Sequence, residues 1–162
     1  MDSYALLIGS ALSAGTVLAI AALGLLINEK AGIVNLGAEG MMLCAAIAGF
    51  ATVVVTHNPW LGFLAGMLAG AVLAAIFGVL VIWLNTNQYA TGLALSLFGV
   101  GFSAFVGIGF VQAKLPESVS YAIPVLADLP LVGPAFFRHH PMVYFAVALT
   151  AGLIWFLYRT RA

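Results

Sequence analysis

The chain has 162 residues, 64% of them hydrophobic and only 6% charged, with a formal net charge of zero. Soluble domains are about 45–50% apolar and about 25% charged, so this composition, with its mean hydropathy of +1.18, belongs to an integral membrane protein whose main partner is the lipid bilayer. The absence of net charge leaves no electrostatic case for a nucleic-acid partner, and the single cysteine excludes an internal disulfide and implies no metal cluster.

Tyr4 to Ile27 reads as the first span, about 24 uncharged residues, long enough to cross a bilayer with some tilt. It is too long for a signal-peptide core, and no basic leader precedes it. Its first half is small and dotted with polar groups (Gly9, Ser10, Ser13, Gly15, Thr16), which suits packing against other helices rather than lipid.

Residues 28–40 then concentrate polar groups in an apolar chain: Asn28, Glu29, Lys30, Asn35 and Glu39, with Gly32, Gly37 and Gly40. Such a stretch is either a hydrophilic turn or a broken helix lining a cavity. The apolar run from Met41 to Thr56 covers only about 24 Å as a helix, against a bilayer core of about 30 Å. The second span is therefore expected to start near Leu36, which carries Glu39 past the first turn. Asn35 and Glu39 would then share a helix face. An ionisable group at membrane depth is a functional candidate. Cys44, in the apolar run, reads as a small buried hydrophobe.

His57-Asn58-Pro59-Trp60 reads as a tight turn with an interfacial tryptophan. Leu61 to Leu84 is the third span. Gly62, Gly66, Gly70, Ala74 and Gly78 recur every fourth residue and form a small-residue ridge for helix packing. A short amide-rich turn with Asn87 and Gln88 leads to the fourth span, which ends near Val111. Gly92, Ser96, Gly99, Ser103 and Gly107 give it a second small face. Residues 112–140 hold four prolines, too dense for a helix, and are apolar enough to pack over one mouth of the bundle. His139 and His140, without a third ligand, read as the polar edge of a span. Met142 to Tyr158 is the fifth span, closed by Trp155, Tyr158, Arg159 and Arg161.

Three of these stretches carry a resemblance. Glu29-Lys30-Ala31-Gly32-Ile33-Val34-Asn35-Leu36-Gly37-Ala38-Glu39-Gly40-Met41 resembles the signature of permease subunits of ATP-binding-cassette importers. The family serves branched-chain amino acids, simple sugars and nucleosides. Asn87-Gln88, Gly92-Leu93-Ala94-Leu95-Ser96 and the Ile123-Pro124 to Phe137 segment resemble its nucleoside branch, the one associated with basic membrane proteins. Lys30 stands where arginine is commoner and Ser96 where asparagine is commoner. The resemblance covers nearly the whole chain but only the first half of such a permease.

It implies an all-α, polytopic transmembrane helix bundle of about five spans, with a broken or re-entrant element near residues 28–40. It implies one permease domain over residues 1–162, partial, without the coupling segment and later spans. Those later helices are expected to cover the small faces of spans three and four. By resemblance the function is to translocate a small polar solute, a nucleoside or simple sugar, across the bacterial cell membrane. Asn35, Glu39, Asn87 and Gln88 would be pathway or gating groups, and Gly62, Gly66, Gly70 and Gly78 packing groups. The implied partners are ATP-binding subunits, a second permease subunit and an extracytoplasmic solute-binding lipoprotein.

No cofactor or catalytic residue is called for. No phosphate-binding Gly-x-x-x-x-Gly-Lys-Ser/Thr motif occurs, so ATP hydrolysis is left to separate subunits. A non-transporting membrane scaffold is the rival reading. An intramembrane enzyme finds no Ser/His pair on adjoining helices, no paired aspartates and no His-Glu-x-x-His motif.

Positive charge sets the expected orientation. With the amino terminus outside, Lys30, Arg159 and Arg161 face the cytoplasm and Lys114 and Arg138 do not. In intact cells Ser118→Cys should therefore react with an impermeant thiol reagent while Thr160→Cys does not. The opposite labelling pattern would invert the topology.

Overall fold

The computed structural model describes residues 2–114, 121–122, 138–139 and 141–159, with side chains for residues 7–114 and 143–159. Among these, five α-helices follow one another: α1 (Asp2–Lys30), α2 (Ala38–Thr56), α3 (Pro59–Gly78), α4 (Gln88–Gly107) and α5 (Pro141–Arg159). A π-helical turn, Val79–Trp83, extends α3, and a 3-10 turn, Ile108–Phe110, extends α4. Four stretches are long and apolar enough to cross a membrane, namely Leu7–Lys30, Ala38–Thr56, Pro59–Trp83 and Gln88–Phe110. A fifth, Val143–Arg159, is apolar but shorter. The all-α transmembrane reading holds. One addition to it is a two-residue antiparallel ladder, in which Tyr121 faces His139 and Ala122 faces Arg138. Most of the 112–140 segment, the expected cover of one mouth, lies outside the described residues.

The chain falls into two compact units, one drawn from residues 1–27 and 118–162 and the other from 28–117. In the first, a groove of about 430 Å³ runs between the small residues Gly15 and Thr16 of α1 and Ala146 and Thr150 of α5. Both threonine hydroxyls donate to carbonyls one turn back in their own helices, Leu12 and Ala146, at 2.7 Å. They add no unpaired polar group to an apolar surface.

In the second unit α2 is the central helix. Its Ala45, Gly49 and Val53 lie along one face, four residues apart, and meet the glycine ridge of α3. A methyl at Gly62 would lie 2.9 Å from the Gly49 carbonyl oxygen and collide with the Val53 side chain; at Gly66 it would lie 3.0 Å from the Ala45 carbonyl oxygen. The ridge then opens. Gly70 reaches only Ala45 Cβ, at 3.8 Å, and Gly78 has nothing within 4 Å.

The opposite face of α2 meets the small face of α4. There Gly99 presses on the Gly40 backbone, and Gly107 lies 3.8 Å from Ile47 Cδ1. Phe50 and Phe110 close the far end edge to face, 6.3 Å apart. The expectation that helices beyond this chain cover the small faces of spans three and four is corrected in part, since α2 packs on the Gly62–Gly66 end of the α3 ridge and on the α4 face, while Gly78 stays open.

Met41, Cys44, Leu73, Phe77 and Leu95 form the buried cluster of this unit, with Ile33 and Val81 packed against it. Large residues on the outer surface, such as Leu64, Leu68 and Val72 of α3 and Leu97 of α4, are exposed, as suits a helix bundle solvated by lipid.

The Asn58–Trp60 turn has a local cause. His57, at φ 54°, closes α2 in the left-handed region, and the Asn58 side-chain oxygen accepts from Trp60 N–H at 3.0 Å. Pro59 occupies the first helical position, where a missing N–H costs nothing. The third span therefore begins two residues earlier than its apolar run.

The graded ridge sets a test. Gly62→Ala should destabilise the detergent-solubilised protein by about 1–3 kcal/mol through overpacking. Gly78→Ala, which enters open space, should be neutral or stabilising by up to about 1 kcal/mol because alanine favours helix. Equal thermal midpoints for the two variants would remove the α2–α3 glycine contact as a determinant of stability.

Candidate functional site

The polar stretch after α1 begins with a helix stop. Gly32 adopts φ +82°, and its N–H donates to the Glu29 carbonyl at 3.0 Å while the Ile33 N–H donates to the Asn28 carbonyl at 2.9 Å. This pair of bonds is a Schellman motif, and glycine enters its left-handed position without a Cβ penalty. From Ile33 to Leu36 the backbone is irregular, and α2 starts only at Ala38.

Asn35 organises the restart. Its side-chain oxygen accepts from Gly37 N–H at 2.9 Å, and its amide nitrogen lies 3.7 Å from Met41 Sδ. It is the buried polar residue of the described chain, 9% exposed. A buried amide needs its partners nearby, and here both lie within six residues.

The connection lies on one face of α4. Gln88, Gly92 and Ser96 are spaced four apart and so line up along that helix. Gln88 Oε1 accepts from Val34 N–H at 3.0 Å, and Ser96 Oγ donates to the Leu36 carbonyl at 3.0 Å. Between them Gly92 has no side chain to hold the connection away; a methyl there would lie 2.8 Å from Leu36 N and 3.0 Å from Gly37 N. One step further, a methyl at Gly40 would collide with the Leu95 carbonyl. Irregular backbone lacks the ladder of a helix and must find other hydrogen bonds, and these two α4 side chains supply two of them.

The structure separates the four residues expected to line a pathway. Asn35 and Gln88 meet on the connection. Glu39 is exposed on the first turn of α2, rather than beyond it, because the helix starts two residues later than the length argument placed it. Asn35 precedes the helix, so the two do not share a helix face. Asn87 is the N-cap of α4, its side-chain oxygen accepting from Tyr89 N–H at 3.0 Å and Ala90 N–H at 3.2 Å.

Beside it lies an open hollow of about 360 Å³ lined by Val81, Asn85, Thr86, Asn87, Gln88 and Tyr89. The π turn shapes its rim. The Leu80 carbonyl accepts both the Thr86 N–H, at 3.1 Å, and the Thr86 hydroxyl, at 2.8 Å, and that hydroxyl pairs with Thr91 at 2.9 Å. Among the described residues no group of three His, Cys, Asp or Glu side chains could hold a metal ion.

Gly92 and Ser96 belong to the site and were not among the expected pathway residues. Their spacing was visible as a small face, but a small face does not say whether a helix or an irregular segment covers it.

Residues 7–162 match the family described as "Branched-chain amino acid transport system / permease component". A putative glucose ABC transporter permease of Haloferax volcanii is 44% identical over 99% of this chain and 50% of its own length. A nucleoside ABC transporter permease of Lactococcus lactis is 27% identical over 99% of this chain and 54% of its own. For a guanosine ABC transporter permease of Bacillus subtilis the figures are 32%, 86% and 47%. The chain thus spans about half the length of the curated relatives it matches. No solved structure matches it.

The capping geometry of Asn87 gives an expected outcome. Asn87→Ala should cost about 1 kcal/mol of stability, and Asn87→Ser, which can still cap, should recover most of it. Thermal unfolding in detergent measures both. An undiminished midpoint for the alanine variant would show that the cap carries no stability.

Proposed function

The chain belongs to the family of permease components of branched-chain amino acid transport systems, and on that premise we propose that it forms part of the solute pathway of an ATP-driven importer. With its membrane-length helices it is a multi-pass protein of the cell membrane. The single observation that carries the pathway reading is the irregular connection 31–37, laid on α4 around the buried Asn35 and followed by an exposed carboxylate, Glu39, at the start of an apolar helix. Broken helices of this kind serve as solute sites in other transporter folds.

The solute is a small hydroxyl-rich molecule, a simple sugar or a nucleoside. The relatives named above are described for glucose, nucleosides and guanosine, and sugar hydroxyls are common to all three. Hydroxyl groups donate to a carboxylate and exchange hydrogen bonds with amides, which is what Glu39 and the Gln88 amide nitrogen offer, while Asn35 shapes the connection beside them. The permease would alternate between outward- and inward-facing states. ATP-binding subunits would supply the energy, a solute-binding lipoprotein would deliver the cargo, and a second permease subunit would complete the pathway. Asn87 contributes through the start of α4 rather than by touching solute.

Glu39 decides between a pathway group and a helix-start group. An acid in the first turn favours the helix by about 0.3–1 kcal/mol through the dipole, an effect on stability alone. In cells carrying the complete importer, Glu39→Ala and Glu39→Gln should each lower solute uptake about tenfold, the worth of one charged hydrogen bond, at matched membrane abundance. Wild-type uptake by both would remove Glu39 from the site, and a stable protein with no solute accumulation in any background would favour the scaffold reading.

A further inference from the structure

Hydroxyls in membrane helices usually turn back on their own helix, donating to a carbonyl three or four residues earlier. Thr16, Thr52, Thr150 and Ser103 of this chain all do so, to Leu12, Ala48, Ala146 and Val100. Ser96 does not. Its hydroxyl leaves α4 and donates to the Leu36 carbonyl, sixty positions away in sequence. Leu36 lies one residue before Gly37, the N-cap of α2, and three before Glu39.

The surroundings explain what that bond controls. Upstream, Gln88 fixes Val34 by its N–H. Downstream, Gly40 is wedged against the Leu95 carbonyl and Ser96 Cα. Leu36 lies between these two fixed points, and its side chain is half exposed. Its carbonyl lies outside both helices, and the Ser96 hydroxyl ties this peptide to α4 two residues before α2 begins and three before Glu39.

We propose that Ser96 is a positioning residue of the solute pathway, holding the Leu36 carbonyl on α4 so that Glu39 is presented in a fixed place. The proposal rests on the pathway reading of Glu39 given above. Ser96 does not itself touch solute. Its removal leaves a helix-compatible alanine, but the Leu36 carbonyl loses the side-chain partner that ties it to α4.

The test uses the complete importer in its membrane. Ser96→Ala should lower uptake about fivefold at matched abundance when Glu39 is present, and less than about twofold in a Glu39→Gln background, because residues acting through one another are not additive. Equal fold-losses in the two backgrounds, or wild-type uptake by Ser96→Ala alone, would overturn the proposal. A second measurement keeps it separate from the pathway reading: Leu36→Cys should react faster with a water-soluble maleimide in permeabilised cells when Ser96 is alanine. If Glu39→Ala and Glu39→Gln both leave uptake unchanged, the pathway reading fails. The labelling rate then still decides whether Ser96 positions the connection, and an unchanged rate counts against it.

Discussion

Two backbones touch where α4 passes the start of α2, and the arrangement of residues 28–117 depends on that approach. Gly92 admits the Leu36–Gly37 peptide, and Gly99 admits Gly40. A side chain at any of these places would push the helices apart by the width of a methyl group. The bilayer provides no hydrophobic drive between helices, so close van der Waals contact and interhelical hydrogen bonds must hold them. Glycine gives the first, and Gln88 and Ser96, on the same face, give the second.

The position of α2 follows from this. A helix with a small face on one side would pair once. α2 makes close contact on two faces, Ala45–Gly49–Val53 toward the glycines of α3 and Gly40 with Ile47 toward those of α4, so it is held on both. The larger residues Met41 and Cys44 fill the wedge beneath, against Leu73, Phe77 and Leu95. What remains outside is apolar and bulky, as a lipid-facing surface should be. The same geometry puts the α1–α2 connection and the α3–α4 turn at one end of this unit, an arrangement that a chain crossing the membrane at each helix requires.

The helices and the connections among 28–117 were largely legible, because apolar length and small-residue spacing act locally. The ridge at Gly62 and Gly66 and the turn at Asn58-Pro59 could be read from the residues. The partner of each face could not. Four-residue spacing says that something approaches closely, not what, and so α2 was not recognised as the helix that packs on α4 and on the Gly62–Gly66 end of α3.

The start of α2 was placed two residues early for a related reason. A length argument assumes that a span must be helical throughout, whereas Asn35 replaces part of a helical turn by folding its own amide over Gly37. The polar residues of 28–40 and 85–96 were found, but composition cannot divide those that stabilise from those left to bind.

Hydrogen-bond accounting makes that division. Asn35 spends its oxygen on Gly37 and turns its nitrogen to Met41. Asn87 spends its oxygen on two backbone N–H groups of α4, and Ser96 gives its proton to Leu36. Each of these satisfies backbone that the bilayer would leave unpaired, and each is explained without a solute. Gln88 spends its oxygen on Val34 and retains two N–H donors beside the open hollow at the α3–α4 turn. Glu39 is exposed on the first turn of α2, where the Gly37 N–H is taken by the Asn35 side chain instead. A carboxylate that the fold leaves without a partner keeps its full capacity to accept hydrogen bonds. By this accounting the carboxylate of Glu39 and the amide nitrogens of Gln88 and Asn87 are left unspent in this region, and the pathway proposal rests on Glu39 and Gln88 among them, because Asn87 is already bound to the start of α4 through its oxygen.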